Sequence, residues 1–192
     1  APELTMLVPL TPEWRAARER KRKAGAFLAA VRKEPDQADV EWLADAAARG
    51  DHDHARWELR YARIALAVLA AQRDALDDRT GSDVVGALGE TLATDERVDP
   101  MMLELVGRQL NDRLSGYKEA LIARGGPVGS GERLGRVLLA FASDGARSAG
   151  APLPRAVELL SAYIAEANEA LRAVYGEAAL PEHLPPSEAA AR

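Results

Sequence analysis

The nine consecutive residues Asn111-Asp112-Arg113-Leu114-Ser115-Gly116-Tyr117-Lys118-Glu119 hold the most chemically specific pattern in this chain. On a helix, Asn111, Ser115 and Glu119 stand at i, i+4 and i+8 and line up hard oxygen donors along one face. Such a row suits magnesium, which takes oxygen ligands at about 2.1 Å. Asp74, Asp77 and Asp78 form an acidic cluster that could supply further oxygen ligands. The candidate metal set is therefore Asp77, Asp78, Asn111, Ser115 and Glu119. A second constellation is Asp51-His52-Asp53-His54 followed by Glu58. His54 and Glu58 lie one helical turn apart and offer mixed nitrogen and oxygen ligation. The chain has three His in all, and neither a Glu-x-x-His pair nor an H-E-x-x-H motif.

The first pattern resembles the second metal-binding motif of class I terpene synthases, N/D-D-x-x-S-x-x-x-E, at Asn111, Asp112, Ser115 and Glu119. The resemblance implies an all-α fold, a magnesium cofactor and a prenyl diphosphate substrate, with the Asp cluster as the first motif. It covers nine residues, and the family separates its two motifs by several helices where this chain has one short helix. The reading the residues favour is plainer: a polar helix face opposite a core face of Leu110, Leu114 and Leu121.

Other chemistries find little support. With zero Cys there is neither a thiol nucleophile nor a thiolate metal site. No G-x-S-x-G elbow occurs, and the glycine-rich 125–131 loop lacks the Gly-Lys-Ser/Thr of a phosphate loop, so it reads as a turn. The run R-A-A-R-E-R-K-R-K, residues 15–23, is the one basic cluster, interrupted by Glu19. It reads as a solvated helix face rather than a binding patch, and the net charge of −5 argues against nucleic acid as a partner. Trp42, Trp57 and Tyr61 read as core anchors in a chain with 5% aromatic residues.

The elements that must position these residues are helices. Ala is the commonest residue, strong helix formers abound and β-branched runs are nearly absent. The 53–78 stretch is apolar at every position from Tyr61 to Ala71 except Arg63, which predicts a long helix buried by its neighbours. Thr11-Pro12-Glu13 starts a helix running to about Lys33, and Asp36 starts a short one that a glycine at Gly50 closes. Thr80 with Asp83 reads as a capping box opening another short helix. Asp99-Pro100 opens a helix to about Arg124, and Ser130 caps the next. The last helix, from about Pro154 to Gly176, carries Val157, Leu160, Ile164, Ala167, Leu171 and Val174 in 3-4 spacing.

These readings give an all-α, single-domain bundle of four long and two to four shorter helices. The expected limits are an N-terminal arm over residues 1–10, the bundle over 11–176 and an Ala/Pro-rich tail over 177–192. No run approaches the ~20 apolar residues that span a bilayer, and no basic secretory leader opens the chain, so a cytoplasmic protein is expected. Without a catalytic constellation, the expectation is a non-enzymatic protein without a cofactor. It would act through protein contacts as an adaptor, chaperone or assembly factor, or by self-association. Leu160, Ile164 and Leu171 are the candidate contact residues; the same seam serves equally well to pack the last helix into the bundle.

Overall fold

The apolar 53–78 stretch becomes a buried helix because its side chains leave no face that tolerates water. In the computed structural model, which describes residues 11–75, 78–123, 127–143 and 152–176, it runs His52–Asp74. Only the backbone of Asp78 is described. The expected arm, the tail and Asp77 lie outside these residues.

The chain order is α1 (Pro12–Val31), α2 (Gln37–Ala46), α3 (His52–Asp74), α4 (Asp78–Ala93), a 3₁₀ turn (Pro100–Met102), α5 (Leu103–Ile122), α6 (Ser130–Ala142) and α7 (Leu153–Tyr175). The described residues are all-helical, with four long helices and three shorter ones, as the sequence predicts. α3 touches all six other α-helices. Around it α1, α4, α5, α6 and α7 pack each against the next, and α7 returns to α1, so the five form a closed ring. α2 covers α3 and reaches α6. Every residue of α3 from Tyr61 to Ala71 is buried, and Ala at 62, 65, 67, 70 and 71 keeps the axis thin enough to be encircled.

Caps set the helix starts. Thr11 accepts a hydrogen bond from the Trp14 amide, and Asp51 accepts one from His54, each with its side-chain oxygen. Asp99 accepts one from the Met101 amide, but what it opens is the 3₁₀ turn that precedes α5. Other expectations need correcting. Thr80 is no cap: α4 already begins at Asp78, and Thr80 is buried inside it. α6 is capped by Gly129, with Ser130 as its first residue. α2 ends at Ala46; the turn out of it places Arg49 (φ 54°) and Gly50 (φ 82°) in the left-handed region, and the Gly50 amide donates to the Ala44 carbonyl.

Close crossings explain two glycines. A Cβ at Gly135 would sit 2.9 Å from Leu153 Cδ1 and 3.1 Å from Val157 Cγ2, where α6 meets α7. A Cβ at Gly116 would lie 3.0 Å from the Phe141 ring, where α5 meets α6. At the end of α1, Glu34 gathers Arg60 (2.7 Å) and Arg97 (3.2 Å), which ties the α1–α2 connection to α3 and to the α4–α5 connection.

Candidate functional site

Two charged residues of α3 fall at positions its packing buries, and each forces a partner from another helix. Arg63 reaches Glu166 of α7 (3.1 Å), its guanidinium 4.2 Å from the Tyr163 ring centroid. Glu58, 2% exposed, takes Arg113 of α5 in a two-pronged pair, Nη2 to Oε1 at 2.5 Å and Nε to Oε2 at 3.1 Å. The guanidinium also lies over Phe141 of α6 (4.5 Å) and Tyr61 (5.3 Å). Burial alone would lower the Arg113 pKa; the hydrogen bonds and charge of Glu58 outweigh it and leave the pKa raised.

Beside this pair a cavity of about 450 Å³ opens between α3 and the start of α5. His54, Trp57, Glu58 and Tyr61 face it from α3, opposite Met102, Leu105, Val106 and Gln109. Tyr61 donates its hydroxyl proton to Gln109 Oε1 at 2.7 Å, and Trp57 lies 5.5 Å from the Tyr61 ring. His54 places Nε2 3.3 Å from the Phe141 carbonyl oxygen and Nδ1 4.0 Å from Glu58. Burial, then the charge of Glu58, pushes the Tyr61 pKa up to about 12. Tyr117, fully buried nearby, is pushed well above 10 by the same two causes in the same order. Trp57 is half-buried and packs against the core, as Trp42 does, and it also walls the cavity.

The other predicted site residues are scattered. Asn111, Asp112, Ser115 and Glu119 are exposed along the outer face of α5. Asp77 and the Asp78 side chain lie outside the described residues, so the full candidate set is not seen together. Among the described residues, no group of three or more His, Cys, Asp or Glu is arranged to hold a metal ion. Leu160 and Leu171 are fully buried in the core of the chain itself, with Ile164 half-buried against it. α7 is turned so that Ala156, Leu159 and Tyr163 share the buried face.

Sequence reading passed over Arg113, which sits inside the oxygen-rich motif as a spacer. The sequence did not mark the pair, since Glu58 lies outside the Tyr61–Ala71 run, between Arg56 and Arg60; once packing buries it, the carboxylate requires a cation. Which cation it takes follows only from the packing of α5 on α3. Chemically, both Glu58 oxygens are engaged by Arg113, so the carboxylate serves as a fixed wall of the cavity. The arrangement is one of rigid aromatic and ionic walls facing the apolar Met102, Leu105 and Val106, with the charged Arg97 and Asp99 also in the lining. Comparison with protein-family models, curated proteins and solved structures gives no match. Among the described residues no helix is long and apolar enough to cross a membrane.

Proposed function

We propose that this chain is a non-enzymatic docking protein that works through protein contacts, and that the groove between α3 and α5 receives an apolar segment of a partner chain. One observation carries the reading. Of the six exposed large apolar side chains among the described residues, two, Met102 and Leu105, line this groove, and a third, Met101 (89%), directly precedes Met102 in the chain. Elsewhere such side chains occur singly, which is ordinary for a protein surface, whereas a cluster bordering a concave site marks a contact surface. Methionines suit it, because their flexible thioethers repack around different side chains. Trp57 and Tyr61 supply the rigid wall behind them, and the Tyr61–Gln109 pair offers the polar group that would fix orientation.

The test is selection of a displayed random-peptide library on the full chain. Enriched peptides should share an apolar anchor, and binding should fall about tenfold or more with Leu105→Glu, as expected when a central contact is lost. Leu105 is exposed, so the variant should melt where the parent does. Absence of enrichment, or binders indifferent to Leu105→Glu and Trp57→Ala, would overturn the reading. On this reading magnesium with inorganic diphosphate leaves the melting point unchanged. A rise that disappears in Asn111→Ala would instead support a metal-dependent site on the outer face of α5.

A further inference from the structure

α1 carries six basic and two acidic side chains in a chain whose net charge is −5. Where it lies against α4, a second groove of about 440 Å³ opens. Four cations line it, Arg18, Lys21, Arg22 and Arg32, against a single carboxylate, Glu90. The rest of its lining is small: Gly25, Ala29 and Ala87, with Thr91 and Thr94. Three of these cations, Arg18, Lys21 and Arg22, are exposed, held in place but not used up. Lys21 pairs with Glu90 (2.8 Å) while both remain more than 60% exposed, and such pairs exchange readily for another carboxylate. Arg22 is braced by Glu19 (2.6 Å), and Arg18 lies 5.2 Å from the Trp14 ring centroid; Arg32, at the far end, is already engaged by the Thr91 carbonyl (2.7 Å) and the buried Asp95 (3.6 Å).

Two features specify what fits. From Arg18 to Arg32 the groove follows α1 for about 21 Å, four helical turns, far longer than a single anion needs. Its floor has almost no side chain beyond Cβ, the condition under which another helix backbone can come close. Gly25 is a poor helix former in the middle of α1, and a Cβ there would meet nothing within 4 Å. Gly86 and Gly89 of α4 share that openness, so what singles out Gly25 is its place on the floor between Arg22 and Arg32. Packing within this chain does not require it.

We infer that the α1–α4 groove docks an acidic amphipathic helix from a partner protein. The helix carboxylates meet Arg18, Lys21 and Arg22 while its backbone lies close over Gly25 and Ala29. A phosphate-backed polymer fits less well: Glu90 stands in the wall, and the lining has no aromatic ring on which a base could stack. With the α3–α5 groove taking an apolar segment, the chain would hold two partners by different chemistries.

The test is fluorescence anisotropy on the full chain with a set of labelled helical peptides of about 18 residues. They carry Glu on both flanks of an Ala or Leu stripe; matched peptides carry Lys for Glu. The acidic peptides should bind, more weakly as salt rises, and the Lys peptides should not. Arg18→Glu with Arg22→Glu should weaken binding. So should Gly25→Leu, by about tenfold or more, although it changes no charge. If Gly25→Leu lowers the melting point, Ala29→Leu fills the same exposed floor. The inference is overturned if no acidic peptide binds, or if filling the floor leaves binding unchanged. Tighter binding of single-stranded DNA, or of vesicles of phosphatidylserine and phosphatidylcholine in equal parts, would also overturn it.

Discussion

Glu58 and Arg113 show how one pair of side chains commits two helices to each other. A carboxylate as enclosed as Glu58 is tolerable only with its charge matched and its oxygens hydrogen-bonded, and Arg113 does both. Removing one member leaves the other charge buried and alone. Arg113→Ala should therefore cost about 3–5 kcal/mol, read as a lower urea midpoint, while the paired change Glu58→Leu with Arg113→Met should cost far less. A double variant as unstable as the single would show that the pair's shape, not its charge, holds α5 on α3. Much of this site was half-legible. Glu58, set between Arg56 and Arg60, gave no sign of needing a partner, but that Arg63 needed one could be read from its place in the Tyr61–Ala71 run. That the partners are Arg113 and Glu166 could not, because those residues lie 55 and 103 positions further along the chain.

At the scale of elements, the two glycines of contrasting setting, Gly25 and Gly135, make opposite demands. Gly25 stands in open space, so Gly25→Ala gains helix propensity at no steric cost and should stabilise the chain by about 0.5–1 kcal/mol. At Gly135 the added methyl meets Leu153, Ala156 and Val157 of α7, and a stiff β-branched neighbour cannot turn aside. Gly135→Ala should destabilise by about 1–3 kcal/mol despite the same propensity gain. Denaturant unfolding of the two variants checks the signs, and equal signs would contradict the close α6–α7 crossing. Nothing local distinguishes these glycines in sequence, since the difference is made by a helix that passes over one and not the other. The elements themselves were legible from capping residues and apolar spacing. The errors fell where tertiary packing overrode local signals. Thr80 was drawn into α4, and α7 was rotated to bury Tyr163 and Leu159 beside Leu160.

For the molecule as a whole, the four tyrosines report closure of the ring. Tyr61, Tyr163 and Tyr175 are pushed up to about 12 and Tyr117 well above 10, burial being the first cause in every case. A tyrosine whose folded pKa is raised contributes stability fully present below its ordinary value of 10 and lost as pH rises through the folded value. Tyrosinate absorbance should therefore stay low at pH 10 and rise near pH 12, together with loss of helical signal. Absorbance that grows by one tyrosine at pH 10 with the helices intact would place one ring outside the packing described above.

The encircled position of α3 has a consequence for how the chain is made. When α3 has left the ribosome, the helices that cover it on the α4, α5, α6 and α7 sides have not, and α7 lies about a hundred residues downstream. Synthesis at roughly 5–20 residues per second leaves the central helix uncovered for several seconds, a window for wrong association. Closure then joins α1 and α3 to α7 across most of the sequence, which raises contact order and slows folding relative to a bundle whose neighbours are consecutive. A chain built around its middle has to wait for its end.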